Sequence, residues 1–439
     1  MNALDQEKSS HAEGGEWPVL ADSPRLRLAT FGALYVAQGL PEGLLYVSVP
    51  AWLAAQGVGA SAIGGFIGVI LLPWSLKLIN GALMDRWTFL AMGRRRPWVL
   101  AAQTGLVVSL IVLGMLDDPT DMAALMFVGV IINTCGAFQD VAVDGMAIDV
   151  LPPKEQASAN GVMWGSKVLG IAGSAAVTGW LLSSYGLRAA ALTTAIAVAA
   201  IMVAAIVFRE RSGERFLPWS AGAASTRARA YHIGNWAAIV RSLFRAALTR
   251  RSVGFAAATF VALASYGLFM AAMPVITVQS LKWADTDFTE LAGSAGLIGG
   301  IFGIVAGGFL TDRFGAKRTL LATLMIMAVI HGGIALSQSF WDVRAVMIAY
   351  VVAYKILFVL MSVSIYAIAM RISVHEIAAT QFALFMAFVN LGTSGGAALL
   401  GPVHVYGGDA GVFAALVAIA AVAVGGYSII DLNPPGSAD

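Results

Sequence analysis

Apolar residues fall in long blocks separated by short polar breaks. Twelve blocks, each long enough as a helix to cross the ~30 Å hydrocarbon core of a bilayer, lie near 27–50, 61–84, 97–116, 121–148, 157–182, 187–208, 252–279, 291–311, 318–337, 342–371, 376–402 and 410–430. The pattern predicts an all-α polytopic membrane protein with twelve transmembrane helices.

The basic residues test that reading, because lysine and arginine stay on the cytoplasmic side of a membrane. With the N-terminus inside, 21 of the 27 fall on inner segments, nine of them arginines between 209 and 251. Only Arg188, Lys282 and Arg344 fall on outer loops, while Lys77, Lys167 and Lys355 fall inside spans. Both termini are therefore expected in the cytoplasm. The one long polar interruption divides the spans into two sets of six. The layout is a tail at 1–26, a six-helix bundle at 27–208, a linker at 209–251, a second bundle at 252–430 and a tail at 431–439. Within the linker Trp236, Val240, Leu243, Phe244 and Leu248 recur at helical spacing; a helix lying on the inner leaflet and a bare hinge both fit.

Composition agrees, with 59% hydrophobic residues, 12% charged and a mean hydropathy of +0.79. A net charge of +2 gives no reason to expect a nucleic-acid partner. Cys135 is the single cysteine, which excludes an intramolecular disulfide. The first 24 residues lack a basic segment followed by an apolar core, so no cleaved signal peptide is expected. No metal or cofactor is called for. Gly161, Gly165, Gly170 and Gly173 are expected to let helices approach closely.

Charge inside the spans changes the picture most. A charged side chain at the bilayer centre costs about 2.5 to 3.5 kcal/mol on insertion scales, so it needs a partner, a proton or water. In QDVAVDGMAID at 139–149, Asp140 and Asp144 are four apart and share a helix face. Asp149 precedes Leu151, Pro152 and Pro153 and is expected at the membrane surface. The first span carries a polar stripe of Tyr35, Gln38, Glu42 and Tyr46, and the second carries Trp74, Lys77 and Asn80. Lys167 lies in the fifth span, and Lys355 lies in the tenth beside Tyr350 and Tyr354. The three carboxylates and three ammonium groups can pair structurally or serve as switchable partners in a water-filled cavity. His331 is read as a packing residue. Asn390 and Gln381 either line the cavity or bond helix to helix.

The halves repeat. GALMDRW with GRRRP closes the second span, and GGFLTDRFGAKR closes the eighth. This resembles the loop signature of the major facilitator superfamily, whose fold is two six-helix bundles around a central cavity. The resemblance implies cytoplasmic gating through Asp85, Arg86, Arg94, Arg95, Arg96, Asp312 and Arg313. Further stretches, LYVAQGLPEGL, PWSLKL, QDVAVDG with DVLP, and AATQFAL, are similar to the AmpG-type permeases and the related acetyl-CoA transporters of that superfamily. Between the two acidic residues this chain has Met146 and Ala147 where the muropeptide permeases carry Trp and Lys, and QDVAVDG is closer to the acetyl-CoA and siderophore branches.

The expected function is secondary transport by alternating access in a bacterial inner membrane. The solute is a medium-sized polar or anionic molecule such as a muropeptide, siderophore or CoA ester. Proton coupling falls to Asp140, Asp144 or Glu42. Substrate contacts fall to Lys77, Lys167, Lys355, Gln38, Tyr35, Trp74, Asn80, Gln139, Tyr354 and Asn390. The partners are the solute, protons and lipid, and the chain is read as a monomer. A membrane acyltransferase would need a nucleophile and base together, yet His331 and Cys135 stand apart in sequence. A sensor without flux is the third alternative.

Overall fold

A computed structural model describes residues 19–87, 89–226, 249–373 and 378–430. The proposed interfacial helix at 236–248 and most of both tails lie outside the described residues. Within them the chain is all-α. Helix α1, Pro24–Gly43, starts at Ser23, whose hydroxyl accepts the Leu26 amide at 3.3 Å, with Pro24 preset for the first turn. It loosens into a π-turn at Leu44–Ser48 before α2, Val49–Ala55. Helix α3, Ala60–Leu71, tightens into a 3-10 turn at Leu72–Leu76, where Pro73 has no amide to donate, and continues as α4, Lys77–Arg86. Then follow α5, Arg96–Gly114; α6, Met122–Val150; and α7, Pro153–Val207, in which Gly186 at φ 80° separates two helices.

The C-terminal half begins again in the same way. Helix α8, Arg250–Pro274, ends at a proline and passes into a π-turn, Val275–Ser280, as α1 does beyond Pro41. Helix α9, Asp285–Phe302, runs through a π-turn at Gly303–Gly307 into α10, Gly308–Phe314. Helices α11, Ala316–Leu336, α12, Arg344–Ile372, α13, Ala378–Ala398, and α14, Leu400–Ile429, complete the chain. Eight described helical runs are long and apolar enough to cross a bilayer, and Ala60–Leu76 is a shorter apolar one. The protein is a multi-pass membrane protein.

The halves meet mainly at the end away from the chain termini, called the distal end here. There Gln279 Nε2 donates to Ala54 O and Val58 O at 3.0 and 2.8 Å, and Ser183 Oγ donates to Asp285 Oδ2 at 2.6 Å. Ser394 Oγ donates to Gly68 O, and Gly64 passes so close to Ala397 O that a methyl group would sit 2.6 Å from it. One apolar core joins both halves, while a second, built on Phe31, Met84, Val99, Val143 and Met163, belongs to the N-terminal half alone.

Helices α1 and α7 pack with backbones in contact. Gly39 and Gly43 lie against the carbonyls of Lys167 and Ile171, and Gly170 lies against Val36 O. Of the four glycines expected to serve close packing on α7, only Gly170 does so; Gly161, Gly165 and Gly173 face open space. Overpacking costs about 1 to 3 kcal/mol, so Gly43→Ala is expected to lower the thermal midpoint of purified protein by several degrees. Gly165→Ala, with no neighbour to strike, is expected to leave it equal or higher.

Candidate functional site

The polar stripe of α1 faces α6 and α7 because alternating steps of three and four keep it on one side of the helix. Gln38 Nε2 donates to Asp140 Oδ1 at 2.6 Å, and Lys77 Nζ pairs with the other oxygen, Oδ2. One turn along α6, Tyr35 OH donates to Asp144 Oδ1. Lys167 Nζ pairs with Glu42 Oε1 at 2.8 Å. Asp140 is 6% exposed, whereas Asp144 is exposed although it lies within the long helix α6.

Trp74 gathers these groups. Its indole N–H donates to Asn133 Oδ1 at 2.7 Å and to Tyr46 OH at 2.8 Å. The ammonium groups of Lys77 and Lys167 lie 4.7 and 5.1 Å from its ring centroid, within cation–π range. In the 3-10 turn its carbonyl accepts Asn390 Nδ2 of the other half at 2.9 Å. Asn390 thus bonds helix to helix across the halves.

The C-terminal half presents a different surface. Lys355 Nζ lies 5.4 Å from the Tyr266 ring, which stacks on Phe358 at 3.8 Å with 14° between planes. Among the described residues Lys355 is the one intramembrane lysine of the three without a carboxylate partner. Residues 355, 358, 362 and 366 repeat at helical spacing, placing Tyr366 on the same face. That spacing made Phe358 and Tyr366 findable in the sequence; Tyr266, on α8, carried no local signal, and neither did Asn133.

Other expected site residues lie elsewhere. Tyr354 is 1% exposed and stacks on Phe269 at 3.6 Å, inside the C-terminal core. Gln139 is buried and donates to Leu34 O at 2.8 Å, joining α6 to α1. Asn80 is buried. His331 packs as expected, with Nδ1 3.0 Å from Tyr350 OH. Gln381 donates to Ser252 Oγ at 3.0 Å, a contact between helices.

The terminal end of the N-terminal half is tied by charge. Glu210 accepts the backbone amides of Arg94, Arg95 and Arg96 at 3.0, 2.9 and 2.6 Å. Gly93, at φ 100°, is required there because a methyl would strike that carboxylate. Arg96, 1% exposed, donates to the carbonyls of Ala205, Ile206, Arg215 and Phe216. Asp149, expected as a solvated surface residue, pairs with Arg94 at 3.0 Å, since the arginine loop folds back over the end of α6. Arg27 holds Glu155 at 2.8 Å. Arg86, Asp312 and Arg313 are exposed, and the side chain of Asp85 lies outside what is described.

The sequence profile of the Major Facilitator Superfamily matches residues 31–397 and, again, 255–437. The anhydromuropeptide permease of Escherichia coli (strain K12) is 31% identical over 159 residues, covering 36% of this chain and 32% of that permease. The putative transporter AmpG 1 of Rickettsia prowazekii is 24% identical over 115 residues, covering 25% of this chain and 26% of that protein. The aligned stretches thus span about a third or less of these relatives. A crystal structure of the nucleoside transporter NupG superposes with a TM-score of 0.74 at 12% identity, covering 92% of this chain and 99% of that one, which establishes a common fold.

Burial pushes Glu210 above the usual carboxylate range and pushes Glu214 up to about 7. A carboxyl whose folded-state pKa is raised adds stability below its unfolded value, and that stability is lost as pH rises through the folded value. The thermal midpoint of purified protein is therefore expected to fall between about pH 5 and about pH 8. Glu214→Gln is expected to flatten this decline; an unchanged slope would count against Glu214.

Proposed function

Because the chain belongs to the Major Facilitator Superfamily, we propose that it is an AmpG-like permease, a proton-coupled symporter moving a medium-sized polar or anionic solute by alternating access. The observation that carries this reading is the constellation between the halves: two acid–ammonium pairs around Trp74, with Asp144 open to solvent one turn further on. Ions so placed are stable only while paired, protonated or hydrated. Both pairs lie within the N-terminal half, so rocking of the other half against it changes their hydration rather than their partners, and a proton on Asp144 then replaces the water that stabilised its charge.

The positive-inside rule assigns the terminal end to the cytoplasm of a bacterial inner membrane, so this arrangement is the inward-open one. The distal hydrogen bonds of Gln279, Ser394 and Ser183 form the closed outer gate. The halves at 27–208 and 252–430 move as the two rocking bundles of a monomer, joined by the linker at 209–251. Closing the cytoplasmic end brings the Asp85–Arg86 and Asp312–Arg313 loops, with Arg94, Arg95 and Arg96 behind the first, against the opposite bundle. The solute is a muropeptide, siderophore or CoA ester, the first of these by similarity to the anhydromuropeptide permease.

The test is uptake by proteoliposomes of a labelled anhydromuropeptide, acetyl-CoA and a ferric siderophore in turn, with and without an imposed proton gradient. At least one solute is expected to accumulate only with the gradient. Asp144→Asn and Asp140→Asn are expected to abolish accumulation, leaving exchange across the membrane in Asp144→Asn. Transport that ignores the gradient and survives both substitutions refutes proton coupling.

A further inference from the structure

Charge balance between the halves divides the labour of the site unevenly. Glu42 is matched by Lys167 and Asp140 by Lys77, so those four groups contribute no net charge. Two charges stand outside the pairs. Asp144, on the N-terminal half, is held by a neutral phenol, Tyr35. Lys355, on the C-terminal half, faces rings rather than acids. With Asp144 ionised the six groups sum to zero; with Asp144 protonated they sum to one positive charge, and Lys355 carries it.

We propose that Asp144 and Lys355 make the carrier load one proton together with one anionic group, so that the loaded site is again neutral, and that the anion sits on Lys355 with an apolar or ring-shaped body against the Tyr266–Phe358 stack. This rests on the proton-coupled reading above and deepens it by naming the stoichiometry, the subsite and the class of solute. A net charge moving through a low-dielectric bundle is expensive, whereas a neutral loaded site crosses without that cost. The two paired lysines do not offer a competing subsite, because capturing an anion there leaves Glu42 or Asp140 buried without its partner. The wall beside Lys355 supplies what a small hydrated anion cannot use: stacked aromatic area. Tyr366, on the same face of α12, extends that wall.

The full chain in nanodiscs, with empty nanodiscs as background, is titrated with 1-naphthoate, which stays ionised throughout, and with the neutral isostere 1-naphthalenemethanol. Naphthoate is expected to bind, and its dissociation constant to rise with pH by up to about tenfold per unit once Asp144 gives up its proton, since each anion takes up one proton. Asp144→Asn is expected to hold naphthoate binding tight and independent of pH. Lys355→Met is expected to weaken it about thirtyfold, to the level of the alcohol, and Phe358→Ala to weaken both ligands alike. No naphthoate binding, binding indifferent to Lys355→Met, or an unchanged pH slope in Asp144→Asn would each overturn the proposal. Gradient-driven uptake in proteoliposomes keeps the two readings apart: if Asp144→Asn abolishes uptake while anion binding ignores Lys355, coupling stands and the Lys355 subsite falls. If binding behaves as expected while uptake ignores the gradient, the subsite stands and coupling falls.

Discussion

Charge within hydrocarbon must be balanced locally, and the interior of this protein is arranged around that constraint. Glu42 and Asp140 each lie against a lysine, and both lysines lie over the ring of Trp74. The indole also anchors Tyr46 and Asn133, so α1, α4, α6 and α7 are oriented by one residue and its immediate partners. Removing any one member would leave another charge buried without compensation, which costs more than the pair itself contributes.

Trp74 also connects that network to the other half. It lies where the helix tightens to a 3-10 turn, and its carbonyl is taken by Asn390 from α13. Irregular backbone at membrane depth is tolerated where protein partners or water satisfy its polar groups. A change in the ion pairs therefore acts on the segment that bonds the two halves, so chemistry at the site and motion of the halves share one element. Beyond it, glycine and serine contacts close the distal end, while the arginine loop around Glu210 stiffens the other end of the N-terminal half.

Much of this was legible in the chain. Apolar block length marked the membrane class, and the repeated Gly, Asp and Arg signature marked the relation between halves, because both are local properties of sequence. The polar stripe of α1 and the spacing of Asp140 and Asp144 located the cavity face, since helical periodicity is itself local. Pairing was beyond reach: three carboxylates and three lysines were in view, but which of them meet depends on how α1, α4, α6 and α7 are packed. That packing gave Lys77 to Asp140 and Lys167 to Glu42, and it left Asp144 and Lys355 outside the pairs.

Elsewhere the division follows the same physical line. Tyr354 adjoins Lys355 in sequence, yet a helix turns successive side chains about 100° apart, so one entered the core and the other the cavity. Gln139 and Asp140, both buried, parted only in partner, one taking the Leu34 carbonyl and the other Lys77. Asp149 carried every local mark of a surface residue, and only the return of the arginine loop over α6 gave it a partner. Residue order specified which chemistry the membrane would have to accommodate. Contacts between distant segments specified which charges were neutralised and which stayed available, because neutralisation acts over a few ångströms in space and takes no account of distance along the chain.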